Sequence, residues 1–171
     1  GAPPGGALPG PGPERPATDV EFTPRRITGI DSLAGLLPDE VAGFEQLGNA
    51  ADLFDCSAGI TEDIVMSYER NGELVIIAGC LYPDPAGARA DIRDTIENFG
   101  DDGMRILAEG DPLPGPGGAP VGRAVYMATP DNTPRYAELT TWSNDRISIV
   151  VWSQALRDAG VTAEIMAALD F

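Results

Sequence analysis

The sequence predicts an α+β sandwich: an antiparallel or mixed sheet of five to seven strands with helices packed against both faces. Three observations carry this expectation. Two hairpin patterns stand out, one turning at Asn71-Gly72 and one around Ser143-Asn144-Asp145. In both, apolar residues fall on the two faces of the strands, whereas a sheet wet on one side alternates apolar with polar. Between the hairpins, Ala86 to Phe99 places Ile92, Ile96 and Phe99 at helical spacing.

Residues 1–19 are dominated by Pro and Gly. Such a segment buries too little apolar surface to offset its ordering entropy and reads as an extended linker, leaving 20–171 as a single α+β domain. Residues 20–28 are expected to form a short edge strand. Asp31 or Ser32 can cap a helix carrying Leu33, Leu36 and Leu37. Pro38 then opens a further helical turn with Val41, Phe44 and Leu47, broken at Gly35 and Gly43. Ile64–Arg70 and Glu73–Tyr82 flank Asn71-Gly72, a type I′ turn signal. With Arg70 opposite Glu73, Tyr68 faces Val75, Met66 faces Ile77 and Cys80 faces Asp63. The 86–99 helix has Pro85 at its start and Gly100 past its end. Met104–Glu109 and Arg123–Ala128 are strand candidates, separated by the loop Gly110–Pro120 and followed by the turn-rich stretch Thr129–Pro134. Tyr136–Trp142 and Arg146–Trp152 pair with Thr140, Trp142, Ile147 and Ile149 on one face and Leu139, Val150 and Trp152 on the other. Val161–Leu169 closes the chain as a helix with Ile165 and Leu169 inward.

Composition removes whole classes of chemistry. The chain has 11 basic residues, all arginine, against 27 acidic ones, and no histidine, for a net charge of −16. No His base or metal ligand, no Schiff-base Lys and no P-loop Lys is available. There is no G-x-S-x-G elbow, and the Gly-rich runs are interrupted by proline, unlike a dinucleotide fingerprint. No cofactor is expected. The charge argues against nucleic acid or an anionic membrane as partner. Arg25-Arg26 is the only adjacent basic pair and therefore the one basic contact the sequence offers a partner. No stretch reaches the length and apolarity of a transmembrane helix. With no initiator Met and no signal-peptide pattern, Gly1 is expected to start a mature or trimmed chain.

Carboxylates remain. Asp101, Asp102, Glu109 and Glu138 could run glycosidic hydrolysis without His, and the acidic turns at Asp84, Asp91 and Asp94, at Asp101-Asp102 and at Asp131-Asn132 carry oxygen ligands suited to calcium. Helix capping explains most of the latter, none matches a calcium-loop pattern, and no metal site is assigned. Trp142, one residue before a turn, could line a ligand cleft, with core packing as the competing reading. Met66, Met104, Met127 and Met166 are spread over different elements and read as core. Cys56 and Cys80 are either free core thiols or one disulfide. The hairpin brings them near each other, and the disulfide, worth roughly 3–4 kcal/mol by chain entropy, is preferred.

Leu36-Leu-Pro-Asp-Glu-Val-Ala-Gly-Phe44, the pair Ile76–Phe99, and Leu139-Thr-Thr-Trp-Ser-Asn-Asp-Arg-Ile147 resemble exported, membrane-tethered or lipoprotein-like domains of actinobacterial type, many of unknown function. They cover about a third of the chain and include no catalytic residue. The resemblance implies an extracytoplasmic, cell-surface or secreted location and an α+β fold. The resulting expectation is a non-enzymatic binding domain on a flexible tether, its partner an envelope protein or a small ligand at Trp142, Arg25 or Arg26. The alternatives are a carboxylate-based hydrolase, with or without calcium, and an assembly subunit with no ligand.

Overall fold

A computed structural model describes residues 29–110, 113–114, 120–130, 136–154, 156 and 159–169. The linker 1–19, the expected edge strand 20–28, Arg25-Arg26 and Asp131-Asn132 lie outside the described residues.

Strand formation begins where the helical reading expected helix. Glu40–Val41 (β1) and Phe44–Asn49 (β2) form a tight hairpin, with Ala42 (φ 51°) and Gly43 (φ 80°) at its turn. Two consecutive positive φ values are what a type I′ turn requires, and a glycine at the second eases it. Val41 and Phe44, read as one helical stripe, instead face each other across the turn. A short 3-10 turn at Ala51–Leu53 leads toward Glu62–Arg70 (β3), which turns at Asn71 (φ 52°) and Gly72 (φ 85°) into Glu73–Leu81 (β4). The register is the expected one, with Arg70 opposite Glu73, Tyr68 opposite Val75 and Asp63 opposite Cys80. Helix α1 spans Pro85–Asp101, and Arg105–Glu109 (β5), Leu113–Pro114 (β6) and Pro120–Ala128 (β7) follow. Part of the expected 110–120 loop thus pairs with β7, Leu113 lying opposite Gly122. Glu138–Asn144 (β8) and Ile147–Ser153 (β9) pair with the facial split the alternation implied. Their turn lies at Asp145-Arg146, about one residue later than read. Helix α2 spans Val161–Leu169.

The strands form one antiparallel sheet in the order β1-β2-β3-β4-β9-β8-β7-β5, with β6 attached to β7. The α+β sandwich is therefore corrected to a mostly-β fold. Nine strands among the described residues carry the architecture, and the two helices lie chiefly over β7–β9 and form no helical layer. The expectation failed for two physical reasons. The 33–47 stretch has apolar spacing that fits a helix, but its Ala-Gly turn closes a hairpin. Apolar sheet residues are also covered by loops: Leu33 and Leu37 pack with Phe44 and Tyr68, and Ala50 and Phe54 pack with Val65 and Ile76.

The main core holds Tyr68, Ile77, Trp142, Ile149 and Val151 together with Ile165 and Met166 of α2. The alternate residues of β7 and β8, Val125, Met127 and Leu139, pack with Ile96 and Phe99 of α1 and with Trp152. Arg70 ties three elements together. Its guanidinium donates to Ala42 O at 2.8 Å, pairs with Glu164 of α2 at 3.4 Å and lies 4.3 Å from the centre of the Phe44 ring.

Candidate functional site

Three carboxylates are buried among the described residues and are the first places to look for chemistry; Glu73 pairs with Arg70 at 3.7 Å, and Glu138 and Asp91 are held by hydrogen bonds. Glu138 is fully buried. Its Oε1 accepts from the Tyr126 hydroxyl and the Gly160 N–H, each at 2.8 Å, and from the Tyr136 hydroxyl. Oε2 accepts from the Thr162 N–H and hydroxyl, each at 2.8 Å. The carboxylate thus sits at the N-terminal end of α2, where the helix dipole favours a negative charge. Burial, and then the Glu138 charge, push the Tyr126 phenol well above its ordinary range. Asp91 of α1 accepts from the Ser57 N–H at 3.0 Å and from the Ser148 hydroxyl of β9, while Asp94 accepts from the Ser57 hydroxyl at 2.7 Å. Burial, followed by the Asp91 charge, likewise raises the Tyr82 phenol.

These bonds fix the loop that carries Cys56, which is joined to Cys80 of β4 by a disulfide with its Cα atoms 5.9 Å apart. The preferred reading of the two thiols is thus the one the structure shows. Disulfides persist in oxidising surroundings, and among the described residues no helix is long and apolar enough to cross a membrane. Both features are compatible with an extracellular protein.

The remaining candidate carboxylates do not converge. Glu109 pairs with Arg123 at 2.9 Å on the surface, and Asp84 caps α1 by accepting from the Gly87 N–H at 3.0 Å. Asp101 and Asp102 are exposed at the end of that helix. Among the described residues no group of three or more His, Cys, Asp or Glu side chains is arranged to hold a metal ion. Trp142, the aromatic singled out from the sequence, is 0% exposed in the main core on the central strand β8.

A cleft lies beside the other tryptophan. Helix α1 ends in a Schellman motif: with Asp102 as C-cap and Gly103 at φ 98°, the Gly103 N–H donates to Gly100 O at 3.1 Å and the Met104 N–H to Phe99 O at 3.0 Å. That closure sets Phe99 and Met104 side by side. Trp152, near the end of β9, meets the Phe99 ring edge-on, with centroids 5.5 Å apart and planes at 61°. Ala137 and Thr129 complete the wall. They are joined by the Thr129 N–H donating to Ala137 O at 2.9 Å and the Ala137 N–H donating to Thr129 Oγ1 at 3.1 Å. Exposed Asp102 and Gln154 stand at the mouth of the resulting cleft of about 220 Å³. For scale, benzene fills an apolar cavity of about 150 Å³.

A second, wider groove of about 440 Å³ runs between Leu36, Pro38, Glu40 and the end of α2 at Ala168-Leu169, with no aromatic wall. Sequence reasoning had set Trp152 and Phe99 on the right faces of their elements. It missed their meeting because Gly100 was read as the helix stop. The Asp101-Asp-Gly-Met104 stretch, with glycine at the left-handed position, was the available signal.

No family model, curated protein or solved structure matches this chain.

Proposed function

We propose that this chain is an extracytoplasmic binding domain that takes a small, single-ring apolar ligand in the cleft between the end of α1 and Trp152. The observation that carries the reading is the Phe99–Trp152 aromatic wall, flanked by Met104 and Ala137, with polar side chains at Thr129, Gln154 and Asp102. Apolar walls with a few polar groups are how small-molecule sites are built. Glu138 and Asp91 are engaged by structural hydrogen bonds and Glu73 by the Arg70 guanidinium, which supports binding over hydrolysis. The disulfide supports the oxidising location, and the Pro/Gly-rich 1–19 segment supports a tether.

The test is amide shift mapping by NMR with benzyl alcohol as probe. Shifts confined to residues 99–104, 129, 137 and 152–154, abolished in Trp152→Ala, are the expected result. Shifts confined to the Leu36–Leu169 groove, or none at millimolar probe, would sink the proposal.

A further inference from the structure

We infer that the cleft selects a ligand carrying a positive charge beside its ring, a ring-bearing ammonium rather than a neutral or anionic ring. The inference rests on the reading of the cleft as a binding site, and it concerns which ligand enters.

Among the described lining residues the single charge is the Asp102 carboxylate. It stands at the C-terminal end of α1, a 17-residue helix whose aligned peptides leave partial negative charge there. Helices ordinarily answer that charge with Lys or Arg in the last turn. This one has no basic residue there; Asp101 ends the helix and Asp102 caps it. Two carboxylates stacked on a negative helix end cost the helix some stability, and no basic residue in its last turn offsets their potential. The same turn supplies Phe99, and with Trp152 it places aromatic rings within reach of that potential. Ring faces attract cations through their quadrupole, Trp most strongly. The net charge of −16 adds a general field that concentrates cations and repels anions at low salt. The wider groove has a carboxylate, Glu40, but no ring, so of the two clefts only the first combines rings with a carboxylate. The volume of about 220 Å³ leaves room for one ring and a short ammonium arm.

Three probes of matched size separate the possibilities: benzylamine (a cation at pH 7), benzyl alcohol and benzoate, each titrated by NMR into the protein at low ionic strength. Benzylamine is expected to bind about tenfold more tightly than benzyl alcohol, with benzoate weakest. The preference of benzylamine over benzyl alcohol should shrink several-fold in Asp102→Asn and in 0.5 M NaCl. Equal binding of benzylamine and benzyl alcohol would leave the cleft reading standing and remove the charge selectivity. Preferential binding of benzoate would overturn it outright. Failure of all three probes would sink the cleft reading itself.

Discussion

Replacing Glu138 with glutamine changes one oxygen to an amide nitrogen, almost without altering shape. Oε1 accepts three hydrogen bonds and Oε2 two, and each oxygen serves a backbone N–H at the start of α2. Whichever way the amide is turned, its NH2 faces a backbone donor, so at least one buried N–H is orphaned at a cost of about 1–3 kcal/mol. The negative charge at the helix N-terminus is lost as well, worth up to about 2 kcal/mol in a partly buried setting. Together these give a loss of about 3–4 kcal/mol. For a domain of this size that lowers the melting temperature by roughly 10 °C. Urea unfolding followed by tryptophan fluorescence and by far-UV circular dichroism measures the loss. Amide exchange at Gly160 and Thr162 reports locally on whether α2 has come loose. Tyr136→Phe is the control, because it removes one of five donors and should cost only about 1 kcal/mol. A Glu138→Gln protein within 1 kcal/mol of the parent, with unchanged exchange at those amides, would refute the account of Glu138 as the anchor of α2.

Four further outcomes follow from the same structure. Replacing Cys56 and Cys80 by alanine opens a 24-residue separation and should cost about 3.5 kcal/mol in the chain-entropy model, read from urea midpoints. Ser143→Ala should stabilise by about 1 kcal/mol, since Ser143 Oγ is the one buried side-chain polar atom without a partner among the described residues; a lower melting temperature would contradict this. Gly87→Ala should destabilise by about 1–3 kcal/mol, because a Cβ there would meet the Tyr82 side chain at 2.9 Å.

The last outcome concerns alkaline pH. Burial holds the Tyr68, Tyr82 and Tyr126 phenols above their ordinary value of 10.0, and no lysine titrates in that range. Below pH 10 folded and unfolded chains are both protonated there and the stability is intact. Above it the unfolded chain loses protons first, so stability should fall as pH rises toward the folded values, by up to about 1.4 kcal/mol per unit for each tyrosine. Urea unfolding at pH 9, 10 and 11 reads the slope, and a flat profile would contradict it.

What the sequence disclosed was decided by local rules. Asn71-Gly72 demands positive φ at two adjacent positions, so the β3–β4 register could be counted outward from the turn, and Cys80 fell where the disulfide needs it. Ala42-Gly43 obeys the same geometry, but with Ala in place of Asn its signal was masked by the apolar spacing of Leu33, Leu37, Val41 and Phe44. The strand order was not legible, because pairing of β4 with β9 is set by burial between segments about 70 residues apart, and no local feature announces it. The cleft was half legible: alternation put Trp152 on the same face as Leu139, yet its meeting with Phe99 depends on where α1 stops, and a two-residue error at the helix end hides it. Glu138 was visible only as one carboxylate among many, since its donors come from three separate elements.

The sheet order also governs how the chain must be assembled. Strands β1–β4 form one meander and β5–β9 another, and the β4–β9 ladder is where the two are sewn together. At that seam Cys80 lies opposite Ser148, so the disulfide, the Ser148–Asp91 bond and the ladder converge on one line. A chain emerging from its N-terminus can form the β3–β4 hairpin and the Cys56–Cys80 bond early, but it cannot cover the free edge of β4 until residue 147 has followed. Such a chain keeps that edge of β4 unpaired for most of its length. Pulsed hydrogen exchange should accordingly show the β4 and β9 amides gaining protection together, after the β3–β4 pairing.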